Sequence, residues 1–266
     1  MPELPEVETI ARGLRPALMG RRVVGAQVLW QKTLAMPPLG QFLEQITGQQ
    51  ILDVSRRAKY LKLQLTAFHL FIHLRMSGDL TIQEAAYQPQ KHDRLILRLD
   101  NERQLVFNDT RKFGRVWLTE HPEDVIGNLG PEPFDPAFTP QVLHASLIQR
   151  HRQMKPLLLD QSFLAGLGNI YSDEALHLSG VHPLRVSDTI LLEEAQRLHA
   201  AIQNVLLAGI EHNGASIDWV YRGGNFQNYF RVYGREGQPC PVCGRPIQRI
   251  VVGQRSTHFC PECQVN

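Results

Sequence analysis

Four cysteines lie close together near the end of the chain: Cys240-Pro-Val-Cys243, then sixteen residues, then Cys260-Pro-Glu-Cys263. Two such pairs suit one tetrahedral metal ion. Each tight turn supplies two thiolates, and the residues between can fold as a hairpin that brings the pairs together. Disulfides are the competing use of these residues, and the absence of a secretory signal argues against them. Four sulfur ligands leave zinc no open position, so the expected cofactor is one structural Zn²⁺ that does no chemistry. The other candidate chemistry is at the opposite end, Met1-Pro2-Glu3-Leu4-Pro5-Glu6. A small second residue favours removal of Met1, which leaves Pro2 with a free secondary amine. With a reference α-amino pKa of about 7.7–8.0, part of that amine is unprotonated near neutral pH. A secondary amine attacking a sugar C1′ or an aldehyde gives an iminium ion, a covalent electron sink. Glu3 and Glu6 stand beside it as candidates for acid–base work. The same residues also suit an ordinary first helical turn, where acids complement the helix dipole.

The elements that must carry these groups are legible as patterns. Residues 3–19 predict an amphipathic helix, with Val7, Ile10, Leu14 and Leu18 at helical spacing and Pro5 in the first turn. Strand-like segments follow at 22–30, 50–54, 58–65, 68–74, 94–99, 104–108 and 115–118, several of them alternating, as in Leu61, Leu63 and Leu65. Lys59 shares their parity and so begins an apolar face, where a lysine needs an anionic partner or a route to water. Many short strands with turn signals between them predict a β-sandwich or barrel. Pro131, Pro133, Pro136 and Pro140 mark a linker within 127–140. Beyond it the pattern is helical. A short helix is expected from near Ser172, after the turn Gly166-Leu-Gly168-Asn169, and a long one capped by Ser187 and ending before Gly214. Ile247–Val252 and Thr257–Phe259, with Gly253 between, predict the metal-bearing hairpin. The expected fold class is α+β: an N-terminal β-sandwich with a flanking helix over 1–130, a helical domain over 131–232, and a four-cysteine zinc finger over 233–266.

The chain has 266 residues, of which 43% are hydrophobic and 20% are Asp, Glu, Lys or Arg, enough apolar content to bury a core and to exclude disorder throughout. The longest stretch without a charged residue, Pro136–Gln149, is too short and polar to span a bilayer. No secretory signal opens the chain, so a cytoplasmic location is expected. The net charge is only +2, but its distribution is uneven. No acid occurs from Val54 to Gly78, which holds Arg56, Arg57, Lys59, Lys62 and Arg75. Six arginines against two glutamates follow Trp219. Two basic stretches form one footprint for a polyanion if the fold joins them; separately they are solvated faces.

Short motifs run along the whole chain: Pro2-Glu-Leu-Pro-Glu-Val-Glu8, Arg57-Ala-Lys59-Tyr60, His73-Leu-Arg-Met76-Ser-Gly78, Asn108-Asp109-Thr-Arg111-Lys-Phe113-Gly114, Gly166-Leu-Gly168-Asn169-Ile-Tyr171, Val232-Tyr233-Gly234, and Arg255-Ser-Thr257 before the third cysteine. With the terminal proline and the cysteine spacing, they resemble the formamidopyrimidine-DNA glycosylase family, bacterial enzymes that excise oxidised purines. The resemblance implies a helix–two-turns–helix module in the helical domain, and a partner that is double-stranded DNA containing oxidised bases. It also implies a monomer with no membrane partner, located at the nucleoid within the cytoplasm. A base inside a duplex must be flipped out before reaction. Met76, Arg111 and Phe113 match the residues that fill the resulting hole. Lys59, His73, His92, Arg111, Arg150, Asn169, Tyr233, Arg249 and Arg255 match phosphate contacts, Arg150 in basic character rather than in detail. Pro2 matches the nucleophile and Glu3 its proton-exchange partner. Glu6 is expected to hold the amine and sugar. Lys59 matches the residue that assists β-elimination, and Arg255 the residue of δ-elimination, where charge stabilisation suits an arginine better than acid catalysis.

Two departures stand out: Arg75 replaces a glycine, and the arginine loop reads Thr110-Arg111-Lys112. The region 215–231, expected to hold a loop over the flipped base with Gly223-Gly224 as its hinge, does not reveal which groups read the base. Two other readings remain open from sequence. One is an endonuclease VIII-like glycosylase for oxidised pyrimidines, which the Arg111 and Phe113 pair disfavours. The other is a non-catalytic zinc-ribbon DNA-binding protein, which has no use for a free Pro2 beside Glu3.

Overall fold

The amphipathic pattern at the start of the chain forms α1 (Leu4–Leu18), in a structure (a computed structural model) that describes residues 1–216 and 223–265. There follow β1 (Val23–Val28), β2 (Leu34–Met36), α2 (Leu39–Ile46), β3 (Ile51–Arg57), β4 (Tyr60–Leu65), β5 (His69–His73), β6 (Gly78–Glu84), β7 (Asp93–Leu99), β8 (Arg103–Asp109), β9 (Arg115–Thr119) and α3 (Glu123–Ile126). One sheet has the order β1-β7-β8-β6 and the other β2-β9-β5-β4-β3. Every pairing is antiparallel except β2 with β9. Leu61, Leu63, Leu70, Ile72 and Val116 of the second sheet share one core with Val23, Leu95, Leu97, Leu105 and Phe107 of the first. The arrangement is a sandwich, and Val7, Ala11, Leu14 and Leu18 of α1 join its core.

Four elements of this unit were not foreseen, the single-turn α3 among them. The β2 strand has three residues and shows no period. In α2 the buried pair Phe42 and Ile46 stands one helical turn apart, yet Pro37 and Pro38 precede it as turn signals. The β6 strand begins at Gly78, in a stretch given no predicted element, and Leu80 is its one buried apolar side chain. The expected strand at 58–65 is shorter. Ala58 and Lys59 form a two-residue turn whose closing pair is Arg57 and Tyr60. Lys59 therefore precedes its strand, although its side chain is buried as its parity predicts.

A second compact unit begins at Leu129. It contains α4 (Pro140–Ile148), α5 (Met154–Leu159), α6 (Asn169–Ser179), α7 (Leu192–Glu211) and the hairpin of β10 (Gln248–Val252) and β11 (Arg255–Phe259). The Thr139 hydroxyl accepts the Val142 N–H and caps α4, with Pro140 at the first helical position. The long helix starts at Leu192, not after Ser187. The Ser187 hydroxyl is held elsewhere, donating to the Arg150 carbonyl and accepting the Arg152 N–H, and residues 187–189 make one tight turn. The Glu194 carboxylate accepts the Leu191 N–H at 2.8 Å and supplies the cap instead. The shorter helix starts at Asn169, three residues before the expected position, because the Ser172 N–H already closes on the Gly168 carbonyl. Among the described residues no helix is long and apolar enough to cross a membrane. Trp219, and with it 217–222 of the expected base-reading loop, lies outside the described residues; Phe226–Tyr229 beyond it is a single 3-10 turn.

The sandwich core depends on close packing at its centre. Leu63 is fully buried in β4, and Leu63→Ala is expected to destabilise the first unit by about 2–5 kcal/mol, read as a shift of the denaturant midpoint at constant slope.

Candidate active site and zinc centre

In the first unit the chemistry gathers at the start of α1 and at the β3–β4 turn. Pro2, Glu3 and Glu6 are buried. The Glu3 N–H donates to Glu6 Oε2 at 2.7 Å, so Glu6 acts on the helix end that carries Glu3. One turn on, Glu8 joins Arg56 of β3 at 2.9 Å, and the pair is mostly buried. This bridge fixes the first turns of α1 against the strand that leads into Lys59. Ala58 in the turn has φ +53, a left-handed backbone that costs a non-glycine residue about 1–2 kcal/mol. Lys59 is 5% exposed. Tyr60 lies opposite His73 in the β4–β5 register, its ring edge-on to the imidazole at 4.8 Å.

His73 is held neutral. Burial, then the positive charges of Arg75 and Lys59, pull its pKa down to about 3. Its Nδ1 accepts the Arg75 N–H at 3.0 Å, so the ring proton sits on Nε2, a donor suited to a phosphate oxygen. Arg75, which stands where the motif has glycine, has φ +55, a conformation that favours glycine.

The remaining sequence-derived residues of this unit lie on loops at strand ends. Met76 and Phe113 are 39% and 48% exposed, unusual for large apolar side chains, and Arg111 stacks over the Phe113 ring at 5.2 Å. His92 is half-buried beside Asp93. The Asp93 carboxylate accepts from the Tyr87 hydroxyl, the Gln90 N–H and the Asn108 side chain, and so fixes the loop that carries His92.

In the second unit, α6 organises the site. Its first residue, Asn169, donates from Nδ2 to the Ser256 carbonyl of β11 at 3.0 Å. Arg249 bonds the Ser256 hydroxyl. Arg255 stands exposed at the hairpin tip, where Gly253 and Gln254 both have positive φ, as a type I′ turn requires. The structure thus brings Asn169, Arg249 and Arg255 to one hairpin. Tyr233 joins them through its ring, 5.2 Å from that of His258. Arg150 is placed differently: its guanidinium bonds the Ser146 carbonyl and lies over Phe163.

Four supporting residues carried no sequence signal. Asp173 accepts from Lys155, which is fully buried and also bonds the Asn169 carbonyl and the Ser172 hydroxyl. The other Asp173 oxygen accepts the His258 N–H at 2.9 Å and so holds β11. Glu174 accepts the backbone N–H groups of Arg231, Val232 and Tyr233 at 2.8, 3.0 and 2.8 Å. Burial pushes its carboxyl pKa up and the three donors oppose the rise. The fourth is His177, whose Nδ1 accepts from Arg231 Nε at 3.2 Å. Its proton therefore sits on Nε2, 3.4 Å from Cys240 Sγ. Acid pairs and histidines of this kind look like any other helix residues until their distant partners are known.

The cysteine geometry fits one metal. All four Sγ atoms lie within 4.8 Å of one another, with Cys240–Cys263 at 3.8 Å and Cys243–Cys260 at 3.4 Å. A tetrahedral Zn–S length of about 2.3 Å implies S···S edges of about 3.8 Å, whereas a disulfide needs about 2.05 Å. The Val242 and Cys263 N–H groups point at Cys240 and Cys260 sulfur, each at 3.4 Å, as donors to thiolates.

Comparison with known proteins covers both units. The model of the formamidopyrimidine-DNA glycosylase N-terminal domain matches residues 1–116, that of the formamidopyrimidine-DNA glycosylase H2TH domain 129–220, and that of the zinc finger found in FPG and IleRS 237–265. The formamidopyrimidine-DNA glycosylase of Chloroflexus aggregans is 48% identical over 100% of this chain and 99% of its own. That of Pelotomaculum thermopropionicum is 45% identical over 99% of each. The chain belongs to the formamidopyrimidine-DNA glycosylase family. Among solved structures, Lactococcus lactis Fpg in complex with DNA containing an abasic site is 34% identical and superimposes with a TM-score of 0.92 over 100% of both chains. The same protein with THF-DNA and an inhibitor gives 35% and 0.92.

Within this family member the zinc finger and the cysteine cluster define one structural zinc site. The finger's own core is Val232, Cys240, Ile247 and Cys260, too little apolar area to hold it folded without metal. Metal removal by a chelator is expected to abolish amide protection across β10–β11 while the first unit keeps its melting transition. Cys260→Ser is expected to bind less than one zinc per chain, measured by mass spectrometry of the native protein. A separate outcome concerns His73. Its folded pKa lies far below the unfolded value of about 6.5. The unfolded chain therefore takes up the proton first, and stability falls as pH drops from about 6.5 toward 3. His73→Gln is expected to flatten the dependence of Tm on pH between about 6.5 and 4, checked by calorimetry.

Proposed function

We propose that the protein is a base-excision-repair enzyme. It removes oxidised purines, 8-oxoguanine and formamidopyrimidines, from double-stranded DNA, and then cleaves the abasic site as a lyase by β,δ-elimination. The observation that carries this reading is the match of all three family modules to a chain that opens Pro2-Glu3 on a buried helix end. The solved relatives bound to abasic-site DNA support the substrate class. The protein works as a monomer in the cytoplasm, at the nucleoid.

Loss of Met1 bares the Pro2 nitrogen. Its lone pair attacks C1′, and the bond to the damaged base breaks with its electrons leaving on the base, which takes a proton. Glu3 exchanges a proton with the sugar as the ring opens, and Glu6 keeps the amine and sugar in place by holding the Glu3 backbone. The iminium acidifies the C2′ hydrogen; water takes it as a proton, its electrons form the C2′–C3′ double bond, and the C3′–O bond breaks with its electrons leaving on the 3′ phosphate. Lys59, buried near neutral His73, donates a proton to the departing 3′ phosphate oxygen. Arg255 at the hairpin tip stabilises charge on the second phosphate during δ-elimination. His73, His92, Arg150, Asn169, Tyr233 and Arg249 grip phosphates, with Asn169 at the start of α6 adding the N–H groups of a helix end. Met76, Arg111 and Phe113 fill the hole left by the flipped base.

Borohydride reduction during reaction with an abasic duplex is expected to trap a covalent adduct that peptide mass mapping places on Pro2, and to trap none when Met1 is retained. An adduct on Lys59 would overturn the nucleophile assignment. Incision of a duplex bearing 8-oxoguanine should exceed incision of one bearing an oxidised pyrimidine; the reverse order would favour the endonuclease VIII-like reading.

A further inference from the structure

Residues Thr110, Arg111, Lys112 and Phe113 are four exposed positions in a row, flanked by Asp109 and Gly114, which are buried. Asp109 has no exposed surface. Its Oδ1 accepts the Ser77 hydroxyl and, at 3.1 Å, the Arg111 N–H. Its Oδ2 accepts the Gly114 N–H at 2.7 Å. Ser77 directly follows Met76, is 2% exposed, and also accepts the Arg111 N–H at 3.1 Å. The backbone of Asp109 reaches a third segment: its N–H donates to the His92 carbonyl at 2.9 Å, and its carbonyl accepts from buried Arg94 at 2.7 Å. One residue thus holds the loops that present Met76, His92, Arg111 and Phe113.

The glycines beside it make this closeness possible. A Cβ on Gly114 would lie 2.4 Å from Phe107 Cζ and 3.1 Å from Asp109 Oδ2. A Cβ on Gly78, the register partner of Asp109, would lie 2.5 Å from the Leu74 carbonyl oxygen. The choice of a carboxylate is itself informative. A neutral acceptor would satisfy one turn, whereas a buried charge needs its full set of donors and loses heavily when any one withdraws. The donors come from both loops, so neither loop can move without stripping a donor from the charge that holds the other.

We propose that Asp109 is a positioning residue for base extrusion, which it serves by locking the Met76 loop and the Arg111–Phe113 loop into one rigid wedge through Ser77. This rests on the reading of those side chains as the ones that fill the stack. Asp109 touches no reacting atom. Its contribution belongs to duplex substrates, where a hole must be filled, and not to an abasic site in a single strand, where there is none.

Two variants test it. Asp109→Asn replaces one acceptor oxygen with a donor that opposes either the Gly114 N–H or the Ser77 and Arg111 donors. Ser77→Ala removes only the link between the loops, so it serves if the first variant folds poorly, as judged by its melting curve. Each is assayed for kcat/KM on a duplex with one 8-oxoguanine and for borohydride trapping on a single-stranded abasic oligonucleotide. Excision from the duplex is expected to fall by about tenfold or more while trapping on the single strand stays within about twofold of wild type. In the double variant the losses should be less than additive, because both changes break the same link. A 2-aminopurine opposite the lesion should brighten more slowly on binding, by a factor similar to the loss of excision. Equal losses on both substrates, or unchanged excision from the duplex, would overturn the proposal. A wild-type protein inactive on both substrates would overturn the glycosylase reading and this inference with it.

Discussion

Buried carboxylates hold this protein's exposed loops. A carboxylate taken out of water must be surrounded by donors, and backbone N–H groups are the donors that loops have to spare. Asp93 holds the loop that ends in His92, Asp109 the loops of Met76 and Phe113, Glu174 the segment of Tyr233, and Asp173 the strand of His258. In each case the acid is buried and the candidate DNA-contacting side chain nearby is more exposed, except that Asp173 acts on buried His258. Loops held this way keep their side chains in place before any ligand arrives, which reduces the ordering entropy that binding must overcome.

The two units use different scaffolds for the same end. The first is a sandwich whose two sheets share one apolar core, so the ends of its strands are stiff mounts for short turns. The turn at Ala58 and Lys59 and the loop after Asp109 both continue directly from paired strands. The second unit relies on α6. Asn169 begins this helix, and Asp173, Glu174 and His177 on its length reach the hairpin, the Tyr233 segment and Cys240. The zinc centre completes the hairpin, and the hairpin displays Arg249 and Arg255.

Charge placement follows the same logic. The four thiolates and one Zn²⁺ carry a local charge of about −2, which would repel a phosphate if it faced the same solvent. Cys240 and Cys260 are buried, Cys263 is half-buried and Cys243 exposed, while Arg249 stands exposed on β10 and Arg255 at the hairpin tip. Neutral His73 shows the complementary case. Burial, with the charges of Arg75 and Lys59, keeps its ring uncharged, so it adds nothing to their repulsion.

Much of the molecule was readable from the chain alone, and what was readable shares a cause. The α1 helix, the alternating strands and the two cysteine pairs are local patterns: period, parity and spacing are set by covalent geometry within a few residues. The motifs that tie the chain to its family are local too. Misplaced features were those where a local signal had a distant competitor. Ser187 could cap a helix, but the connection at Arg150–Arg152 takes its hydroxyl; Gly78 lies in a stretch with no predicted element, but it pairs with Asp109 as strand. What the supporting acids hold was invisible because their donors lie far along the chain: Asp109 meets Ser77 across 32 residues, Glu174 meets Tyr233 across 59, and Asp173 meets His258 across 85. Sequence by itself determined which chemistry the chain carries and which elements bear it. Only the tertiary structure decided which buried charges hold those elements, because a carboxylate's worth depends on donors that folding alone brings within reach.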